Sequence, residues 1–585
     1  VKVPRWLDTL APLKRAPKVH QFISLDTEDD QLGFGDGKGF YLGAVHTPAG
    51  SETFTSRGRL LSFLCQSRWA GWWCATFNLE YDALNLWGAR GVTLLNPCFS
   101  GSRLCSLTVE LGEKGRRKDR LTFFDVGCFL SGALKELAGL VNSEKLDMAH
   151  HSGDRRVTPR RREYCARDAE ITWKLAHFVQ DGVNVLGAEM KLTAAATALD
   201  CFRRRYLREP LKCLPESVQT WLHGGYCGGR VECFRLGDYR RTIYKNDVNG
   251  AYVSVMINSN FPVLDDFGAA GRKADLALEG MAECRLSVPE HLWAAPLPSK
   301  GTKLTFPVGR LAGRWTFNEL RQALNAGCRI DRVTASYQAR RTEPYLRDMM
   351  LALRAIRENL ATPPAVSRMA KLLGNSLYGK FAQRNEDFRY LPLAEFARDV
   401  RNGKLRAGRD YDPERTITYD RCRVVRVVTG RRLPRHSNVI WSAMITAGCR
   451  MLLYPHLDEG STFYCDTDSV IGLRAYPITK TLGCLALQGA YSRLVIRGNK
   501  LYAGREVGAS WEAHAKGIPT AQALRAVRRP GVTIISRRPV KLRTALKGTL
   551  PANEWRDFPK LLSAEYDKRA VSADGETRPL KARMW

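Results

Sequence analysis

Phe463-Tyr464-Cys465-Asp466-Thr467-Asp468-Ser469-Val470 places two carboxylates and a threonine between apolar residues, and Val470, Ile471 and Gly472 lead out of it. The pattern predicts a β-hairpin with the polar residues at its tip. Asp466 and Asp468 are two apart, so an extended backbone at the tip aims both to one side. Two carboxylates about 4 Å apart repel by about 4 kcal/mol at an effective dielectric of about 20. A fold that keeps such a pair commonly neutralises it with a cation, and hard oxygen ligands select Mg²⁺, Mn²⁺ or Ca²⁺. A polar turn whose Asp and Ser side chains only cap backbone N–H groups fits the same residues. The rest of the chain has to decide between the two.

Length and composition narrow the choice. A chain of 585 residues is too long for one core, so three or more domains or subdomains are expected. Apolar content of 44% and charged content of 26% are those of an ordinary globular protein and exclude a disordered one. Lys and Arg number 91 against 59 Asp and Glu, a net charge of +32 that points to a polyanion, most often nucleic acid. A basic but merely solvated surface is the alternative. The 16 cysteines include no C-x-x-C and no Cys/His pair at zinc spacing. Several (Cys65, Cys74, Cys128, Cys449, Cys484) lie in apolar runs, as buried thiols do in a reducing compartment. No apolar run reaches membrane-spanning length, and VKVPRWLDTL lacks a signal-peptide core, so a cytoplasmic chain with no membrane partner is expected. Val1 in place of Met suggests a processed or trimmed start.

In the first third, Val19 to Ser24 runs into Leu25-Asp26-Thr27-Glu28, a strand whose Asp26 and Glu28 share a face. Trp72 to Phe77 reads as a buried strand, and Asn78-Leu79-Glu80-Tyr81-Asp82 leads from it into a helix. Arg161 to Leu175 reads as a helix with Tyr164 and Asp168 one turn apart. Alone, each is an ordinary surface or helix pair. Together, Asp26, Glu28, Asp82 and Asp168 resemble the metal-ligand set of the DEDD 3′→5′ exonucleases, and Tyr164 resembles the tyrosine of the DEDDy branch. The resemblance implies two metal ions, a water positioned by Tyr164, DNA contact at Asn78, and Lys135 in FFDVGCFLSGALKELAGL as a scissile-phosphate contact. The Arg-dense run from Arg155 to Arg162 suits a DNA backbone or a solvated loop equally.

In the middle, Leu192 to Tyr206 reads as a helix, and His223 to Arg230 contains four glycines that permit close backbone approach. Tyr226-Cys227-Gly228-Gly229 resembles the YxGG element of family B DNA polymerases, which implies template contact by Tyr226, Gly228 and Gly229. Arg241 to Asn246 reads as a strand delivering Asp247, after which the chain turns back at Tyr252. Asp247-Val248-Asn249-Gly250-Ala251-Tyr252 resembles polymerase motif A, Dx₂SLYP, with departures at Gly250, Ala251 and Val253. The resemblance implies metal binding at Asp247 and Val248 and exclusion of a 2′-OH by Tyr252. Arg347 to Leu360 and Ala365 to Tyr378 read as two helices broken by Thr362-Pro363-Pro364. Lys371, Asn375 and Tyr378 fall at i, i+4, i+7 on one helix face. Lys371 to Gly379 matches motif B, Kx₃NSxYG, without a departure. That match implies triphosphate contact by Lys371, packing of Asn375 and Tyr378 at the nascent base pair, and an unobstructed surface at Gly379. Arg354 or Arg357 is a candidate second triphosphate contact.

In the last third, Glu386 to Val428 reads as a charged β insertion and Val439 to Leu453 as an apolar helix. Thr446 to Arg450 resembles the Tx₂GR primer-terminus motif, with Cys449 in place of Gly, and implies DNA contact by Thr446 and Arg450. Lys500-Leu501-Tyr502 resembles KxY, which implies primer contact by Lys500 and Tyr502. Lys516-Gly517-Ile518-Pro519 resembles the loop into a thumb, where clusters such as Arg528-Arg529 and Arg537-Arg538, with Lys541 and Arg543, suit backbone phosphates.

The order of these segments is that of the type B DNA polymerases, and the compact length and insertions resemble the protein-primed branch of small phages, linear plasmids and adenoviruses. The expected fold is α/β and α+β multidomain, a ribonuclease-H-like exonuclease domain plus a right-hand polymerase. The expected divisions are exonuclease 1–188, first palm part 189–256, and an insertion resembling terminal-protein region 1 at 257–345. Fingers at 346–382, a second such insertion at 383–430, second palm part at 431–525 and thumb at 526–585 follow. The implied activity is DNA-directed DNA synthesis with proofreading and strand displacement on a small linear genome. Two Mg²⁺ or Mn²⁺ ions per site, DNA primer-template, dNTPs, a terminal protein and a monomeric state come with it. Initiation from ordinary primers or without a primer is the alternative. A lone exonuclease needs no counterpart of Lys371 to Gly379, a reverse transcriptase carries Asp-Asp at the hairpin tip, and a dead nucleic-acid-binding relative would have lost one of the seven acids.

Overall fold

Phe22–Asp29 is an inner strand of a seven-stranded sheet, parallel to the central strand Trp73–Thr76, which is in turn parallel to Arg120–Asp125. In the computed structural model, residues 9–30, 39–101, 103–111, 119–148, 153–508, 510–515, 518, 520–528, 533–547, 555–561 and 565–583 are described. The first half of Phe22–Asp29 is buried, as a strand covered on both faces must be. Helix Pro159–Val185 covers one face; its start is fixed by Pro159 and by the Thr158 hydroxyl, which accepts from the Arg161 N–H. Helix Leu79–Leu94 packs on the opposite side, in the second hydrophobic cluster.

A second, eight-stranded sheet draws its strands from the two spans read as palm, 189–256 and 431–525. Its order runs Val231–Cys233, Thr462–Asp466, Ser469–Gly472, Ile243–Val248, Leu485–Gly498, Leu501–Glu506, Trp511–Ala515, with Gly237–Tyr239 added on Leu485–Gly498. The hairpin expected at 463–470 is there, with Asp466 paired to Ser469 across a Thr467-Asp468 tip. The apolar helix Val439–Leu453 has the bounds read from its sequence and is buried almost all round.

The two helices expected at 347–360 and 365–378 are there as Arg347–Glu358 and Pro364–Phe381, divided at Pro363 and Pro364. Pro364–Phe381 packs directly on the exonuclease-side helix: a Cβ added at Gly182 would lie 2.6 Å from the Ala365 carbonyl oxygen. One hydrophobic core therefore runs from Ile171 and Val179 through Met369 and Leu373 to Trp441 and Met256.

The two insertions are sheets of their own. Residues 257–345 contribute Gly268–Ala269, Arg329–Ala339, Glu279–Val288 and Val308–Thr316, with a separate core around Trp315 and Phe317. Residues 383–430 contribute Asn385–Pro392, Ile417–Tyr419 and most of Val424–Arg432.

The stretch read as a thumb, 526–585, does not stay together. Val540, Leu542, Ala545 and Leu546 pack into the exonuclease-side core, and the Leu542 N–H donates to Glu80 Oε1 at 2.8 Å. Lys581–Arg583 instead joins the first insertion's sheet, parallel to Val308–Thr316. Short terminal strands add where an open sheet edge is available, which local composition does not reveal. Thr9–Leu10 likewise leaves the first domain to pair with Leu211–Lys212. Of the expected thumb loop only Ile518 is described; Lys516, Gly517, Pro519 and Arg529 lie outside the described residues.

Candidate active sites

Asp247 ends the strand that lies next to the acidic hairpin. Asp247 is the register partner of Ser469, and the Val248 N–H donates to the Asp468 carbonyl at 2.7 Å. Burial and then Asp468 push the Asp247 carboxyl up to about 6, and burial and then Asp466 raise Asp468. Asp466 receives the Tyr464 hydroxyl at 3.1 Å and the Lys500 ammonium at 3.0 Å. With Lys245, Lys500 and Tyr502, the three aspartates line one cleft of about 690 Å³. Chain segments more than 200 residues apart thus meet because two β-ladders fix their register.

The fingers helix closes one side. Tyr252 and Tyr378 stack with ring centroids 4.4 Å apart and planes 7° from parallel, and the Asp468 charge acts on both phenols. Leu373, Gly374 and Leu377 are buried, whereas Lys371 and Asn375 are exposed on the open face. A Cβ at Gly379 would meet nothing within 4 Å. The nine-residue pattern therefore keeps its apolar face in the core and presents a cation, an amide and a ring outward. Arg354 is taken by Glu358 at 2.7 Å, while Arg357 is exposed on the same helix.

Tyr226 to Gly229 leave helix Glu216–His223 and pass beside the hairpin tip. A side chain at Gly229 would collide with Thr467 at 2.7 Å, which is why glycine stands there. The Tx₂GR residues differ from expectation. Thr446 is buried and its hydroxyl is spent on the Ser442 and Ala443 carbonyls. Arg450 is 4% exposed, paired with Glu319 at 2.6 Å, and donates to the Cys227 and Gly228 carbonyls at 2.8 and 2.7 Å. Both face inward, because an isolated buried guanidinium must be paired. Arg450 orders the YCGG loop through the Cys227 and Gly228 carbonyls.

The second acidic site is deeper. Asp26 and Glu28 alternate with Thr27, whose N–H and hydroxyl both donate to Asp82 Oδ1 at 3.0 and 2.8 Å. Asp82 stands in the first turn of a helix entered through exposed Asn78, at φ +74°. The Ser24 hydroxyl donates to the Ala169 carbonyl at 2.6 Å, seating the helix that brings Asp168 and Tyr164 to the strand. Burial, then Asp168, Glu28 and Asp82, raise Asp26; burial and then Asp168 raise Glu28 to about 8. Asp82 and Asp168 are also raised, each chiefly by burial.

Lys135 does not join this cluster. It pairs with Asp147 at 2.9 Å on an exposed surface, where a lysine four carbons long is held by the nearest carboxylate. Lys145 is the lysine in the site: its ammonium meets Asp168 and the Tyr164 hydroxyl, the latter at 2.9 Å. Nothing in its local sequence separates Lys145 from the rest of the 91 Lys and Arg residues; only the packing of 143–148 beside the helix does so.

Both sites have the donor chemistry of hard divalent ions. In the deeper one, Asp26 Oδ2 and Asp168 Oδ1 are buried without a hydrogen-bond partner, and mutual repulsion among the four acids calls for positive charge. Among the described residues no three His, Cys, Asp or Glu side chains already converge on one ion-sized point. The fit therefore rests on oxygen donors and orphaned lone pairs, with Lys145 and Lys500 docked on one carboxylate of each site.

Among the described residues no helix is long and apolar enough to cross a membrane. The family model for type B DNA polymerases, organellar and viral, matches residues 129–407, a span holding the Asp247 and Lys371–Gly379 segments. A DNA-directed DNA polymerase of enterobacteria phage PRD1 is 27% identical over 327 residues, 54% of this chain and 55% of the relative, so the match spans about half of that protein. Phi29 DNA polymerase complexed with primer-template DNA and incoming nucleotides has a TM-score of 0.71 at 14% identity, over 93% of this chain and 100% of that one. The orthorhombic crystal form of the same polymerase gives 0.72 at 15% identity over the same share of each chain. The fold is thus the expected mixed α/β multidomain one, similar to that of phi29 DNA polymerase. Asp247, Asp466 and Asp468 gather on the second sheet beside the helix that carries Lys371–Gly379, and the chain is similar to the type B DNA polymerases of organelles and viruses, whose family model matches just under half of it.

Proposed function

We propose that this chain is a DNA-directed DNA polymerase with a 3′→5′ exonuclease, acting on primer-template DNA and dNTPs. The observation that carries the reading is the ladder register that sets Asp247 beside the Asp466–Asp468 hairpin, under the Tyr252–Tyr378 stack. Asp247, Asp466, Asp468 and the Val248 backbone would hold two Mg²⁺ or Mn²⁺, which lower the pKa of a primer 3′-OH and neutralise the leaving pyrophosphate.

The chain's own residues do the rest. Lys371 offers a cation to triphosphate oxygens, and Tyr252 packs against the sugar so that a 2′-OH has no room. Lys500 and Tyr502 meet the primer strand, and Tyr226, Gly228 and Gly229 the template. The net charge of +32 favours duplex phosphates without regard to sequence. In the deeper site, Asp26, Glu28, Asp82 and Asp168 would hold the second metal pair, while Tyr164 and Lys145 orient the water and the scissile phosphate.

Protein priming by a terminal protein, strand displacement and a monomeric state extend the same reading. What supports them is that 257–345 and 383–430 each fold into a sheet, in a chain whose fold is similar to that of phi29 DNA polymerase over 93% of its length. The test is incubation with labelled dNTP, Mg²⁺ and candidate partner proteins: label covalently attached to protein is expected, and label found only on DNA primers would leave ordinary priming. Extension through a long duplex without a helicase is expected too, and a stall at the fork would count against displacement.

A further inference from the structure

Thr467, at the tip between the two catalytic aspartates, has φ +63°. A β-branched residue in the left-handed region is strained and persists only where its surroundings over-determine it. Part of that determination is the Arg230 carbonyl, which accepts the Thr467 N–H at 2.7 Å. Arg230 begins the outermost palm strand, Val231–Cys233, whose three residues pair with Asp466, Cys465 and Tyr464. An edge strand this short has little hold of its own.

The hold comes from the far end of the chain. The Cys233 N–H donates to the Tyr566 hydroxyl at 2.9 Å, and the Lys568 ammonium donates to the Val231 carbonyl at 3.1 Å. The Thr577 hydroxyl donates to the Cys233 carbonyl at 2.8 Å. Inside, Glu232 is fully buried and receives Arg230 Nε at 2.7 Å and Arg569 at 3.5 Å. Arg569 is also fully buried; it donates to the Trp293 carbonyl at 2.6 Å and lies 4.5 Å from the Phe234 ring centroid. Two guanidinium groups thus share one carboxylate away from water, an arrangement kept only when every member is in place.

We infer that Arg569 and Tyr566 are positioning residues for polymerisation: Arg569 through Glu232 and Arg230, and Tyr566 through Cys233 of the same edge strand, hold Thr467, and with it Asp466 and Asp468, in the geometry the chemistry needs. The inference rests on the polymerase reading above. It separates the two sites, because none of these contacts reaches Asp26, Glu28, Asp82 or Asp168.

The test compares Arg569→Leu, Arg569→Lys and Tyr566→Phe in the full chain, by single-turnover primer extension, single-strand degradation and thermal unfolding on the same preparations. Arg569→Leu is expected to slow extension about 100-fold, the scale of a roughly 1 Å misplacement. Degradation and the apparent affinities for dNTP and primer-template should stay within about twofold. Arg569→Lys should recover part of the loss, and Tyr566→Phe should slow extension by about 3–10-fold. Equal loss of both activities with a lowered unfolding temperature would make Arg569 a stability residue and overturn the inference. Unchanged extension in Arg569→Leu, or in Tyr566→Phe should Arg569→Leu not fold, would overturn it too. A wild-type chain that degrades single strands but extends no primer would instead fell the polymerase reading, and this inference with it.

Discussion

The two acidic sites solve one electrostatic problem in opposite ways. The exonuclease-side acids are packed into the body of a domain, with Asp82 2% and Asp168 4% exposed, and their partner cation Lys145 is largely buried beside them. The palm acids line an open cleft, and their partner Lys500 has nearly half its side chain in solvent. Buried acids repel each other strongly, whereas acids open to water are screened and repel each other less. The contrast teaches that depth sets how strongly each site depends on a counter-ion.

The largest expected effect tests whether the sites are independent. Asp468→Asn should reduce primer extension by about 10⁴-fold or more while single-strand degradation stays within about twofold, and Asp26→Asn with Asp168→Asn should do the reverse. Gel assays of both activities on each variant decide it; joint loss in either would break the two-site picture.

A smaller effect sharpens the roles of the lysines. Lys145→Ala is expected to slow degradation by about 100-fold, whereas Lys135→Ala changes it by less than about twofold. Equal effects would return Lys135 to the site.

Next comes a pH effect that follows from depth. Glu28 titrates at about 8 in the folded chain instead of 4.5, raised by burial and then by Asp168. The native state holds the extra proton, so the stability from this group is full below about pH 4.5 and is lost as pH rises toward about 8. In chelator, the unfolding temperature of the exonuclease-side transition should fall across that window. Asp168→Asn should flatten the fall, and Mg²⁺ should stabilise more at pH 8 than at pH 5. A profile flat in chelator would remove the argument from depth.

The smallest expected effect concerns the open site. Tyr252→Ala should raise ribonucleotide incorporation by about 10–100-fold with deoxynucleotide extension within about tenfold. Unchanged selectivity, measured by competing rNTP against dNTP, would take the sugar contact away from Tyr252.

Much of this was legible because it is local. The hairpin at 463–470 announces itself by alternation and a polar tip, and Lys371, Asn375 and Tyr378 share a face through helical spacing alone. Asp26 and Glu28 share one because strands alternate. The misreadings are all matters of what lies across a gap in sequence. Lys135 and Lys145 look alike until the helix Pro159–Val185 is seated. Thr446 and Arg450 look like surface ligands until Glu319, 131 residues away, turns Arg450 inward. The span 526–585 looks like one basic subdomain until its helix docks at Glu80 and its last strand joins the insertion sheet.

By itself the sequence determined the kinds of element, the acids and their pairing within each segment, the motif B face and the preference for a polyanion, since these depend on periodicity, spacing and charge. Only the tertiary structure decided that Asp247 stands beside Asp468, that Lys145 serves the deeper site, and that residues 566–577 brace the strand next to Asp466. Those are consequences of β-ladder register and of burying charge with its partner, and both are set by segments from 23 residues apart, for Lys145 and Asp168, to 333 apart, for Cys233 and Tyr566, that no local pattern relates.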